Sequence, residues 1–148
     1  MTRRRSALAA AVTLTTGLAL GGCSGSGAEL KAEGAYVPQP VMADMASGYV
    51  VVRNTGDTAD KLTSVTSDFA GDVTMHRTVG NTMRQVSSLK VPAGGELRLA
   101  RGGTHLMFMK LEHKPAKGEK VSVVLHFAAS DPITLEVPVV ATNYTPDK

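Results

Sequence analysis

The stretch KVSVVLHF, Lys120 to Phe127, decides what kind of fold this chain adopts. Val121, Val123, Leu125 and Phe127 recur at every second position, with Ser122, Val124 and His126 between them. Residues two apart share one face of a strand, so this is the pattern of a half-buried antiparallel strand. Seven further short runs surround it: GYVVVRN (48–54), KLTSVTS (61–67), DVTMH (72–76), MRQVSSLKV (83–91), GELRLA (95–100), HLMFMKLE (105–112) and ITLEVPVV (133–140). Turn signals separate most of them: TGDTAD, FAGD, PAGG, RGG, KPAKGE and ASDP. No stretch carries a sustained helical period with a cap at its start. About eight short strands at close spacing predict an all-β sandwich or small barrel.

The N-terminal residues read differently. Arg3, Arg4 and Arg5 precede an apolar run from Ser6 to Leu20, and small residues lead to Cys23. This is the form of a secretory signal over residues 1–22. The run is too short and too poor in large side chains for a transmembrane helix. LGGC (20–23) resembles the lipobox of bacterial lipoproteins, which implies cleavage before Cys23 and a lipid on it; the alternative is a free cysteine near an ordinary cleavage site. SGSGAELKAEGA (24–35) is small and polar, so residues 23–34 are expected to be a flexible tether. The domain is expected over 35–143, with a short polar tail over 144–148.

The formal net charge of +3 includes the three leader arginines, and without them it falls to zero. No basic patch argues for nucleic acid. Cys23 is the only cysteine, so no intrachain disulfide forms and no thiolate serves the domain. The chain has no Trp, three Phe and three Tyr, so its core is mostly aliphatic, with methionine available to fill irregular gaps.

The methionines and histidines raise the functional question. If DVTMH ends at His76, RTVGNT (77–82) reverses the chain and Met83 opens the next strand. Arg84–Val91 then runs away for about 25 Å. PAGG, GELRLA and RGGT bring the chain back to His105 and Met107. His76, Met83, His105 and Met107 would collect at one rim of a meander. Two readings stand at this point, a metal site and a methionine-rich core. Two imidazoles and two thioethers form a soft, neutral set. Zinc sites usually use Cys, His or carboxylate, and calcium and magnesium take oxygen, whereas thioethers select Cu(I). A blue-copper redox centre needs a cysteine that is absent here.

The spacing goes further. Met83 is followed by twenty-one residues and then His105-Leu106-Met107. Flanking it are SGYVVVRNTGDTADKL (47–62) and VPAGGELRLARGGTHLMFMKL (91–111). In these residues the chain resembles the periplasmic copper chaperones called PCu(A)C, over roughly Pro40 to Pro138. That resemblance implies a cupredoxin-like Greek-key barrel binding one Cu(I) per domain through His76, Met83, His105 and Met107. It also implies a monomer that passes copper towards cytochrome c oxidase, to the CuA subunit or a thiol-bearing chaperone serving it. With the lipobox, it places the protein on the outer face of the bacterial cytoplasmic membrane. There are two departures: only six residues separate His76 from Met83, and the methionine adjoining His76 precedes it, as Met75.

Other candidates read more plainly. Met75 points opposite His76 and is expected in the core. Met109 is expected to pack beneath the site. Met42 and Met45, in QPVMADMASG (39–48), are either a second docking point for copper or packing residues. His113 and His126 read as a solvated turn residue and an outward strand residue. Asp44, Asp57, Asp60 and Asp131 suit turns. No nucleophile elbow, phosphate-binding glycine loop or carboxylate pair with a nearby histidine suggests an enzyme. An envelope copper buffer without a dedicated acceptor, and a metal-free structural module, are the competing functions.

Overall fold

The structure is a computed structural model, which describes residues 27–147. The leader, Cys23 and the start of the expected tether lie outside the described residues. Ten strands follow in order: β1 (Leu30–Pro38), β2 (Met45–Asn54), β3 (Asp60–Ser67), β4 (Ala70–Val79), β5 (Thr82–Val86), β6 (Leu89–Val91), β7 (Glu96–Arg98), β8 (His105–Leu111), β9 (Lys120–Phe127) and β10 (Ile133–Val140). The regular elements among the described residues are all β, as their alternation predicts.

The strands pair in the order β5-β4-β8-β2-β1-β10-β9-β3-β6, with β7 on β2. β8 lies between β4 and β2, and β10 between β1 and β9, which are crossovers of the Greek-key kind. One edge of β2 pairs with β1 and the other serves two partners: residues 45–48 pair with β8, and 51–53 with β7. The sheet curls over on itself. The inward residues of β2, β4 and β8 therefore meet those of β3, β9 and β10 in one core. In β9 that core takes Val121, Val123, Leu125 and Phe127, the face read from the sequence. Phe69 and Phe108 meet at its centre with ring centroids 4.8 Å apart.

Two of the ten strands correct the expected eight. Residues 30–34, expected in the tether, belong to β1 and pair with β2. Their small polar composition hides a strand because β2 supplies the pairing and only Leu30 and Ala32 pack on the core. Glu33 pairs with Val51 and Tyr36 with Tyr49, so β1 holds one extra residue; Gly34, at φ +61°, makes this bulge possible. Beyond it β1 runs parallel to β10 at Val37 and Pro38 and joins the two halves of the sheet.

The second correction concerns Arg84–Val91. This run is broken: β5 stays on β4, and β6 leaves to pair with β3. The reversal after His76 is also tighter than RTVGNT suggests. β4 continues to Val79, and Gly80-Asn81 close a two-residue hairpin with Gly80 at φ +60°.

Candidate metal centre

The continuation of β4 moves the candidate residues from a barrel rim onto an open sheet face. Met75 and Leu106 point inward and are buried. Their neighbours His76 and His105 therefore point outward. The β4–β8 register sets His76 directly opposite His105, and Thr74 opposite Met107. On the other side of β4, Thr78 faces Met83 and His76 faces Gln85. Directly paired residues project to the same face, so all four expected ligands share it. The two histidines and Met107 are half-buried, while Met83 is half exposed near the hairpin. Met83 is diagonal to His76 rather than beside it, since Gln85 occupies the facing position.

The imidazoles lie nearly parallel, with centroids 5.6 Å apart and planes inclined by 14°. His105 Nδ1 is 2.9 Å from the Gly103 carbonyl. A carbonyl only accepts, so Nδ1 carries a proton, and in the neutral ring Nε2 keeps its lone pair. His76 Nε2 lies 2.8 Å from the Thr74 hydroxyl. His76 Nδ1 is the one buried side-chain N or O atom without a hydrogen-bond partner among the described residues. Burial, and then the neighbouring His105, push the His76 pKa below its ordinary value, so the ring is held neutral. In the tautomer whose Nε2–H donates to the Thr74 hydroxyl, Nδ1 is an unshared, desolvated lone pair. An orphaned buried nitrogen of this kind calls for an explanation, and a metal ion supplies one.

Among the described residues, no three His, Cys, Asp or Glu side chains group to hold a metal. Any ion bound here therefore depends on thioethers, which favour a soft cation. Thr74 and Gly103, which fix the two rings, were not singled out from the sequence. Each lies two residues before the histidine it holds, a spacing that places Thr74 on the same strand face as His76.

Two other expectations change. Met109 does not lie beneath the site: it is half-buried on the same outer face as Met107, directly opposite Met45 of β2. Asp60, expected at a turn, opens β3; it is 4% exposed and accepts from the Ser130 hydroxyl and the Lys61, Ala129 and Ser130 amides. Met75 is in the core, as expected. His126 faces outward and bonds Thr66, and His113 pairs with Glu119, both away from the site.

A family model described as "Putative lipoprotein LpqE-like" matches residues 30–139. The chain belongs to the LpqE-like family. An LpqE-like relative, "Putative lipoprotein Lxx21020" of Leifsonia xyli subsp. xyli, is 35% identical over 100 residues. That match covers 64% of this chain and 60% of the relative's length. The fold is similar to the apo PCuAC domain of PmoF2, at 22% identity and a TM-score of 0.69, over 78% of this chain and 92% of that one. The copper-bound PCuAC domain of PmoF2 aligns with a TM-score of 0.68 at 22% identity, over 76% and 92% of the two chains. The Cu(I) form of DR1885 from Deinococcus radiodurans is 27% identical, with a TM-score of 0.63 over 74% and 76%. The LpqE-like chain therefore has the fold of PCuAC domains, the cupredoxin-like architecture its sequence led us to expect.

Proposed function

We propose that this LpqE-like protein is a Cu(I)-binding metallochaperone and that copper is its cargo. The observation that carries the reading is the His76–His105 register pair, with an unpartnered nitrogen on His76 and Met83 and Met107 on the same face. His76 and His105 would hold the ion through their free nitrogens, and the two methionines would complete a neutral, soft set that takes one Cu(I). All four donors come from one chain, so a monomer suffices. The copper-bound forms of PmoF2 and DR1885 support the choice of metal.

The open face suits transfer. An incoming thiolate can displace one thioether at a time without opening the barrel. We take the acceptor to be the CuA subunit of cytochrome c oxidase or a thiol-bearing chaperone serving it. Lipidation of Cys23 after removal of residues 1–22 would hold the protein on the outer face of the cytoplasmic membrane, in keeping with its family and relative. Because β1 begins at Leu30, the linker from Cys23 spans at most about 25 Å, which keeps the domain near that surface.

Competition for Cu(I) against a chromophoric chelator tests binding: a stoichiometric complex is expected, and no uptake refutes the proposal. Oxidase activity in a deletion strain, with and without added copper, separates delivery from buffering. Delivery predicts an oxidase defect that copper relieves, whereas a buffer predicts copper sensitivity with normal oxidase.

A further inference from the structure

The chain has seven methionines, and six of them follow the leader. Met75 alone enters the core; Met42, Met45, Met83, Met107 and Met109 are exposed or half-buried. Core filling accounts for Met75 and for none of the other five. Met83 and Met107 belong to the centre described above. The remaining three lie at the far end of the same face. Met45 and Met109 are directly opposite each other across β2 and β8, a placement that puts Cβ atoms about 5 Å apart. Met107 is two residues from Met109 on one face and is diagonal to Met45. Met42, 56% exposed in the loop before β2, lines a groove with Met45, Ser47 and Met107. Met42 is exposed and Met45 and Met109 are half-buried, Asp72 of β4 faces Met109 from the other side, and Met side chains reach several ångströms with little rotamer restriction.

We propose a second soft-cation station, formed by Met42, Met45 and Met109, that binds Cu(I) or Ag(I) through sulfur alone. It is contiguous with the histidine centre through Met107. The neighbouring Arg101 does not present its charge freely to the groove, since it donates to the Thr142 carbonyl and lies over Tyr49. Movement between stations would be ligand exchange: Met107 would stay bound while Met42, Met45 and Met109 replace the two imidazoles and Met83, and the metal would remain monovalent throughout. The thioether station is the weaker one and gives the cargo a path across the sheet towards the loop 39–44. The path rests on the function proposed above, but the station itself does not.

The test is a titration of the full chain carrying Cys23→Ser, so that no thiol competes, labelled at methionine methyls and histidine rings, with Ag(I) as a redox-inert probe. The first equivalent is expected to move His76, His105, Met83 and Met107. The second is expected to move Met42, Met45 and Met109, with Met75 unmoved as the core reference. The volume-conserving double variant Met45→Leu/Met109→Leu should lose at least about tenfold in affinity for the second ion and keep the first within about threefold. Methyls of Met42, Met45 and Met109 that stay still at two equivalents would overturn the station while leaving the histidine centre standing. An unchanged second affinity in the double variant would overturn it too. Thioether shifts without any movement of the imidazoles would support the station and count against the histidine centre.

Discussion

His76 and His105 face each other across β4 and β8, and each ring is held by an oxygen two residues before it, Thr74 Oγ1 and the Gly103 carbonyl. Strand register fixes the distance between the rings, and the two oxygens fix which nitrogen of each is free. The arrangement is set before any ligand arrives, because the ladder and the turn that build it are backbone features. Gly103 also accepts from the Thr78 hydroxyl, which ties the start of β8 to the end of β4.

Replacing His105 by alanine removes one half of this pair and should weaken Cu(I) binding at least about tenfold, or 1.4 kcal/mol. His126→Ala is the matched control, since His126 lies on β9 and its ring bonds Thr66. It should stay within about twofold of the parent in chelator competition. Equal losses in the two variants would remove the site from β4 and β8.

Thr74→Val tests the oxygen that holds His76. The substitution keeps the shape and deletes the hydroxyl partner of Nε2, so the ring is free to turn or to change tautomer. Outer partners of metal-binding histidines are commonly worth 10- to 100-fold in affinity, and a loss of about tenfold is expected here. The ring resonances of His76 in the metal-free protein should report the tautomer change directly. A variant with unaltered affinity and unaltered ring resonances would show that Thr74 does not position His76.

The parts of this fold that were legible in the sequence are those in which a strand's own side chains decide its placement. Val121, Val123, Leu125 and Phe127 alternate because one face of β9 meets the core, and any reader of period two finds it. β1 was hidden because its pairing partner, β2, does the stabilising, and Leu30 and Ala32 are too sparse to signal it. The break at Ser87-Ser88 was hidden for a related reason: nothing local stops the strand, and β6 leaves only because β3 offers it an edge. The candidate set His76, Met83, His105 and Met107 stood out by residue type and spacing. Its position was not, since that depends on β4 running three residues past His76 before the Gly80-Asn81 turn. The burial of Asp60 was not legible, because its partners Ala129 and Ser130 lie 69 and 70 residues away in sequence.

Asp60 should show in the acid limb of stability. Burial alone would raise its pKa; the bonds from the Ser130 hydroxyl and the Lys61, Ser130 and Ala129 amides outweigh burial and hold it below the usual value. As pH falls, the unfolded chain takes up this proton first. The contribution is therefore complete above about pH 4 and is lost as pH drops through the lower folded value. Asp60→Asn should unfold more easily at neutral pH, and the difference from the parent in urea midpoint should shrink below about pH 4. A difference independent of pH would mean that the charge of Asp60 contributes nothing.

Gly48 lies where β2 passes under Phe108. A Cβ at this position would come within 2.4 Å of Phe108 Cε2, in a ring that is 1% exposed. Gly48→Ala must therefore displace a fully buried aromatic ring and is expected to cost about 1–3 kcal/mol by chemical denaturation. Phe108→Leu in the same background should recover part of that loss, because it removes the colliding ring edge. Gly48 pairs with Leu106, so a shift there also moves β8 between His105 and Met107, and copper affinity should fall along with stability. A Gly48→Ala protein of parental stability would mean that the ring has room to move.

Lys110 presents the opposite case, a side chain where its absence would help. It is the one non-glycine residue with positive φ among the described residues, at +53°, next to the last pair of the β4–β8 ladder. An L-residue pays about 1–2 kcal/mol for this conformation. Glycine pays none of it but gives up about 0.5–1 kcal/mol in unfolded-state entropy. Lys110→Gly should therefore stabilise the protein by roughly 0.5–1 kcal/mol, whereas Lys110→Ala, which keeps its Cβ, should not. The register on either side, Asp72 with Met109 and Ala70 with Leu111, does not depend on the lysine side chain, so neither variant should alter the ladder. Urea unfolding of the two variants settles the sign: a Lys110→Gly protein less stable than Lys110→Ala would mean that the left-handed turn of the backbone carries no cost here.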